Sequence, residues 1–221
     1  VKFLGSKKVA EGTMAFEFEK PKRFEFKAGQ SIDITLGTQI YPFSIAASPN
    51  ENLIRIVTRM RDSEFKKNLK KLKIGEKVRI QGPSGDFVLR KKTDKPIIYI
   101  AGGIGITPVY SMICDAFERR LQHDLTLVYG NSSSMKAAFL EELKAFQVSR
   151  PNASGGRASF MFKVHSIFQR LNLATFKHLN LPKNAVYYIS GPPGFVQNTR
   201  KILEEAGMDE DFIKTEEFDG Y

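Results

Sequence analysis

The sequence of 221 residues contains one cysteine, Cys114. That excludes an intrachain disulfide, and with it any Cys-ligated zinc or iron–sulfur cluster held by this chain alone. Long apolar runs are missing too: nothing approaches the roughly 18 residues that a membrane-spanning helix needs. The opening stretch VKFLGSKKVA lacks a signal-peptide core, so the expected setting is cytoplasmic. His123, His165 and His178 show no metal-ligand spacing, and neither a Ser nucleophile elbow nor a Cys–His pairing stands out. What remains is 42% hydrophobic and 26% charged, a globular mix that argues against disorder. The length allows one large domain or two of about a hundred residues.

The net charge of +10 invites a nucleic-acid reading, but its distribution is uneven. Residues 1–94 carry 20 Lys/Arg against 11 Asp/Glu, whereas residues 95–221 carry 14 against 13. Sequence texture changes at the same place, so two domains are expected, residues 1–94 and residues 95–221.

The first half reads as β. Short runs at 14–19, 31–36, 53–59, 78–81 and 87–89 are separated by turn residues such as Gly82-Pro83-Ser84-Gly85. In 31–36, Ile32, Ile34 and Leu36 alternate with Ser31, Asp33 and Thr35. Strands this short and closely spaced suggest an antiparallel barrel or sandwich. A helix is expected at 63–72, with Phe65, Leu69 and Leu72 on one face and Lys66, Lys67, Lys70 and Lys71 in solvent.

The second half reads as α/β. The apolar run 97–101 suits a buried parallel strand, and it opens into Gly102-Gly103-Ile104-Gly105-Ile106-Thr107-Pro108. Thr107 is the expected N-cap of the next helix and Pro108 its first residue. Strands at 125–129 and 185–189, helices at 136–146 and 196–206, and a short strand at 213–216 follow, with 152–156 as a loop. Repeated strand–loop–helix units predict a parallel sheet with right-handed crossovers.

Two of these strands run into glycine-rich loops, Gly102–Pro108 and Ser190-Gly191-Pro192-Pro193-Gly194. Glycines let backbone approach a ligand, and a helix N-terminus attracts phosphate through its free N–H groups and dipole. Taken alone the first loop is equally a tight structural turn, because Pro108 replaces the third glycine of the usual dinucleotide fingerprint. Two such strand ends in one sheet favour an extended phosphate-bearing ligand.

GGIGITP at 102–108, GPP at 191–193, Ala28-Gly29-Gln30 and Phe43-Ser44 stand in the order and spacing of the ferredoxin–NADP reductase superfamily, which this chain resembles over nearly its whole length. The likeness is weakest between Gln147 and Lys183. It implies a six-stranded, Greek-key flavin-binding barrel followed by a nicotinamide-nucleotide domain. Hydride would pass from NAD(P)H to the flavin N5 in the cleft between them, and single electrons would leave to an acceptor.

Site residues follow from the resemblance position by position. The family's Arg-x-Tyr-Ser falls on Tyr41-Pro42-Phe43-Ser44, so Ser44 matches the residue whose hydroxyl reaches the flavin N5 region and Phe43 the flanking aromatic. A plain core aromatic is the other reading of Phe43. Tyr41 replaces the arginine that neutralises the flavin phosphates. Val57-Thr58-Arg59-Met60-Arg61-Asp62-Ser63 matches the second flavin segment, where Arg59, Arg61 or Lys66, with Ser63 and the helix N-terminus, would take over that charge. Thr107 and Gly191-Pro192-Pro193 match the nicotinamide-lining positions, with Ser190 where many relatives have cysteine. Asn131, Ser132 and Lys136 are candidates for the nucleotide's ribose end, with NADH and NADPH both open. In the tail, Glu217 is the candidate acid near the transfer site, and Phe218 or Tyr221 the candidate ring over the flavin; a frayed terminus is the alternative.

The leading expectation is a flavin-dependent NAD(P)H oxidoreductase that holds FAD (or FMN) and serves an acidic carrier such as ferredoxin or flavodoxin. Next comes a reductase that releases reduced flavin, which Tyr41 would suit. A basic nucleic-acid-binding protein is the remote third, and neither nucleic acid nor membrane is expected as a partner.

Overall fold

The structure, a computed structural model, describes residues 1–90, 93–121, 123–148 and 161–218. Contacts divide the chain into two compact units. The first is Val1–Leu89 with Thr107–Asp115, and the second is Arg90–Ile106 with Ala116–Tyr221.

Six strands build the first unit: β1 (Phe3–Ala10), β2 (Thr13–Glu19), β3 (Ser31–Leu36), β4 (Gln39–Ser44), β5 (Leu53–Arg59) and β6 (Arg79–Ser84). They form two antiparallel three-stranded sheets, ordered β1-β2-β5 and β4-β3-β6. Period-two alternation puts Phe16 and Phe18, Ile32 and Ile34, and Ile54 and Ile56 into one core. Each contributes about 2 kcal/mol of burial. Helix α1 (Glu64–Lys71) adds Phe65 and Leu69 to that core and leaves Lys67, Lys70 and Lys71 exposed. β1 and β4 went unassigned in the sequence because lysines and exposed residues break their alternation. The expected strand at 87–89 is irregular chain, with Phe87 and Leu89 buried.

The second unit is a five-stranded parallel sheet of β7 (Ile97–Gly102), β8 (Asp124–Gly130), β9 (Met161–Ile167), β10 (Val186–Gly191) and β11 (Ile213–Glu217), ordered β11-β10-β7-β8-β9. The wholly buried β7 and β10 occupy the middle. Helices α2 (Ile106–Glu118), α3 (Leu140–Val148), α4 (Leu173–Leu179) and α5 (Pro193–Glu205) connect or follow these strands. Ile98, Ile100, Val128, Tyr187 and Ile189 on one sheet face pack with Val196, Ile202 and Leu203 of α5.

Three helix starts differ from expectation. α2 begins at Ile106 after a short 3-10 turn at Gly103–Gly105, so Thr107 lies inside the helix, buried, and is not its N-cap. The 3-10 turn carries the chain over, leaving no extended residue at 107 to cap. α3 begins at Leu140, because Ser134–Lys136 form another 3-10 turn. α5 begins earlier than expected, at Pro193, whose fixed φ suits a first helical turn. The expected loop at 152–156 lies outside the described residues. No described helix is long and apolar enough to cross a membrane.

Candidate functional site

In the first unit the β3–β4 hairpin pairs Ser31 with Ser44, Ile32 with Phe43, Asp33 with Pro42 and Ile34 with Tyr41. Alternation along β4 sends Tyr41 and Phe43 to one side. Both rings lie on Phe65 of α1, Tyr41 at 4.6 Å between centroids and Phe43 at 5.8 Å in a stacked arrangement. Tyr41 nevertheless keeps 46% of its surface exposed, and Pro42 is exposed beside it. Phe43 is partly buried and packs against the barrel core. Ser44 is 4% exposed, and its hydroxyl finds no hydrogen-bond partner among the described residues. A buried polar group left unpaired costs about 1–3 kcal/mol, so this hydroxyl stands ready for a partner that the described residues do not supply.

Val57 and Thr58 are buried in β5, and the Nε of the following Arg59 is a second buried donor without a partner among the described residues. Arg61 is exposed. The Ser63 hydroxyl accepts from Lys66 N at 3.2 Å and so caps α1. Asp62 pairs with Lys67. Burial, and after it the Arg61 charge, holds the Lys66 ammonium below the ordinary lysine range. Arg61 and Lys66 thus stand close enough at the start of α1 to repel, a placement that an anion would relieve.

The second unit brings its candidates together at the C-terminal ends of β7, β8 and β10. Gly102 pairs with Gly130, and Ser190 with Ala101. Gly103 has φ +56°, which favours glycine. A Cβ at Gly105 would overlap the backbone carbonyl of Ser190, so only glycine lets the two loops meet. The meeting is fastened by Ser190, fully buried, whose hydroxyl donates to Gly105 O at 2.7 Å. Ser190, which stands where many relatives have cysteine, is therefore a fastener between the loops. Pro192 and Pro193 start α5 without a side-chain cap. Pro108 is buried in α2.

Beyond β8, both side-chain polar atoms of Asn131 and the hydroxyl of Ser133 are buried without partners among the described residues. Ser132 is exposed and Lys136 half-buried. Glu217 pairs in register with Gly191, and Phe218 N donates to Gly191 O at 3.1 Å, so the chain is held to β10 through Phe218. Tyr221 lies outside the described residues.

Two residues escaped the sequence reading. The Phe195 ring lies where a Cβ on Gly102, Gly130 or Gly191 would project, so a single side chain covers three strand-end glycines. The Tyr129 hydroxyl lies 3.2 Å from the carbonyls of Gly103 and Ala138 and donates to one at a time. An aromatic soon after GPP and a tyrosine closing an apolar strand were the available signals, and neither is specific.

Against known proteins, residues 99–201 match the oxidoreductase NAD-binding domain. This stretch belongs to that family. Around the NAD-binding domain, the likeness extends to the barrel. A component of the Na(+)-translocating NADH-quinone reductase of Methylococcus capsulatus is 31% identical over 67% of this chain and 39% of its own length. The flavohemoprotein of Bacillus subtilis is 27% identical over 96% of this chain and 56% of its own. This chain thus spans about two fifths to just over half of those relatives. The ferredoxin–NADP+ reductase of Plasmodium falciparum superposes with a TM-score of 0.83 over 98% of this chain and 95% of that one, at 20% identity. The fold is that of the ferredoxin–NADP reductase superfamily: antiparallel sheets in the first part and a five-stranded parallel sheet in the second.

Proposed function

We propose that this chain is an NAD(P)H-dependent flavoprotein oxidoreductase that passes electrons through bound FAD to an external acidic carrier protein of the ferredoxin or flavodoxin kind. The observation that carries the reading is the buried, unpartnered Ser44 hydroxyl on β4, at the position matching the family's flavin-contacting serine. The flavin's chemistry, when bound, is to accept hydride from NAD(P)H and release the electrons one at a time.

The remaining roles fall to side chains and backbone. Ser44 would donate to the flavin ring, which Tyr41, Pro42 and Phe43 would flank. Arg59, Arg61 and Lys66 would neutralise the cofactor's phosphates beside Val57, Thr58, Ser63 and the first turn of α1. Gly102, Gly103, Gly105, Thr107, Pro108 and Gly191-Pro192-Pro193 would take the nicotinamide nucleotide, whose phosphates favour backbone N–H groups at helix starts. Glu217 and Phe218, held beside Gly191, would border its reacting end. The polar groups after β8 include no carboxylate to hold a ribose 2′-hydroxyl, so Asn131, Ser132 and Lys136 suit NADPH as well as NADH. Lys136→Glu should accordingly lower kcat/KM for NADPH about tenfold relative to NADH, the loss of one charge-assisted contact.

Anaerobic titration of the purified, flavin-loaded protein with NADH and NADPH tests the reading. Bleaching of the bound flavin by either nucleotide is expected, and failure with both would sink the proposal. Exposed Tyr41, which brings no charge, favours a second reading in which flavin is reduced and released. A protein that loses its yellow colour on dialysis yet still catalyses NAD(P)H-dependent reduction of added flavin would establish it.

A further inference from the structure

In the first unit, a tight turn joins the end of α1 to β6. Glu76 N bonds Lys73 O at 2.9 Å, and Gly75 has φ +88°, so Ile74 is the second residue of a four-residue turn with glycine at the third. Ile74 is 79% exposed at this corner. Nothing in turn chemistry asks for a bulky aliphatic there. The turn is pinned, because Gly75 N donates to Phe3 O and Phe3 N to Glu76 O, both at 2.8 Å. Leu4, next along β1, is 45% exposed.

Charge surrounds this apolar point. Lys70, Lys71, Lys73 and Lys77 flank Ile74 in the chain, and Lys2 bridges to Lys77. All five are exposed, and none forms an ion pair with a described residue. Glu76, the one acid in 70–77, accepts from Lys73 N through its carboxylate at 3.0 Å.

From this we infer, against the sequence expectation of no membrane partner, that the Ile74 turn docks on an anionic lipid bilayer, Ile74 and Leu4 entering the headgroup layer while Lys2, Lys70, Lys71, Lys73 and Lys77 meet lipid phosphates. Two features favour a bilayer over a protein. Ile74 and Leu4, its exposed apolar residues, are aliphatic and not aromatic, and its cations are all lysine, a residue depleted at protein interfaces but suited as a hydrated point charge to a headgroup surface. A few lysines and two aliphatics provide weak, reversible attachment, half-bound at an accessible lipid concentration on the order of 1 mM.

Co-sedimentation with phosphatidylcholine vesicles, with and without phosphatidylglycerol, tests this. Binding is expected to the mixed vesicles only and to weaken as salt rises. Lys71→Ala with Lys73→Ala should lower partitioning about 25-fold, about fivefold for each lysine. Ile74→Ser should lower it by up to about tenfold, leaving NAD(P)H oxidation unchanged. The chain has no tryptophan, so Ile74→Trp places a single reporter whose emission should move to the blue on mixed vesicles. Absence of binding, or binding with neither a blue shift nor dependence on Ile74, overturns the inference. So does a ferredoxin that perturbs the emission of the Ile74→Trp variant where vesicles do not.

Discussion

The glycine loops of the α/β unit and the β4–β5 region of the barrel handle their buried polar groups in opposite ways, while Asn131 and Ser133 beyond β8 are unpartnered among the described residues as the barrel's groups are. In the α/β unit the chain satisfies its own loops: Ser190 donates to Gly105 O, and Tyr129 supports the carbonyl of Gly103. In the barrel, the Ser44 hydroxyl and Arg59 Nε are buried without partners among the described residues. A loop assembly tied to itself keeps its shape and offers backbone N–H groups to whatever arrives. A site with orphaned donors is completed only when a ligand arrives, and its stability is then linked to that ligand by mass action. The contrast implies that the crossing of the two glycine loops is preformed, whereas the region of Ser44 and Arg59 is finished by its cofactor.

The largest effect expected from disturbing this contrast comes from Gly105→Val. The new side chain would meet the Ser190 carbonyl, a backbone atom that cannot swing aside. The kcat/KM for NAD(P)H should fall by about 100-fold or more, as a clash costing about 3 kcal/mol implies, while flavin is retained. Steady-state kinetics with a flavin absorbance check would show it. Retained activity would mean that the loops are not preformed.

Next in size, Arg59→Ala and Lys66→Ala should each raise the flavin dissociation constant about tenfold or more, the weight of a charge-assisted contact to phosphate. Fluorimetric titration at two salt concentrations checks this, with smaller differences from the wild type at the higher salt.

A serine pair gives the most direct comparison. In flavin-free protein, Ser190→Ala should cost about 1 kcal/mol, the value of a satisfied buried hydrogen bond, whereas Ser44→Ala should cost nothing or stabilise slightly. With flavin bound, Ser44→Ala should become the damaging one, visible in the rate of flavin reduction. Denaturant melts of both variants, loaded and unloaded, separate the cases. Equal losses in the flavin-free state would abolish the contrast.

The smallest effect concerns acid. In the barrel, burial raises the Glu17 carboxyl pKa, but the hydrogen bond and charge of Arg55, with help from Lys7, outweigh it and leave the group below its ordinary value of 4.5. A depressed carboxylate contributes stability that is present above the unfolded value and is lost as pH falls through the folded one. Stability should therefore drop as pH is lowered from about 4.5, and Glu17→Gln should flatten that part of the profile.

Legibility followed burial. β7 and β10, buried on both faces, stood out as apolar runs, and the glycine loops that end them were visible as punctuation. β9 was missed because it is an edge strand, MFKVHSI, whose mixed exposure hides the pattern. α4 was missed with it, as a seven-residue helix with one buried side chain, Phe176. Phe195 was invisible for another reason: its partners are glycines, which leave no side-chain pattern to read, on three strands distant in sequence.

The sequence by itself determined the two textures, the glycine-rich strand ends, the concentration of charge in the first half and the exclusion of an intrachain disulfide. These are local properties, set by periodicity, turn residues and composition. Tertiary structure alone decided which of two serines is spent and which is open. Ser190 and Ser44 each sit at or beside the end of a strand next to a motif, and nothing within a few residues of either separates them. Whether a buried hydroxyl is satisfied depends on what the rest of the chain brings within about 3 Å of it, and that is a property of the fold.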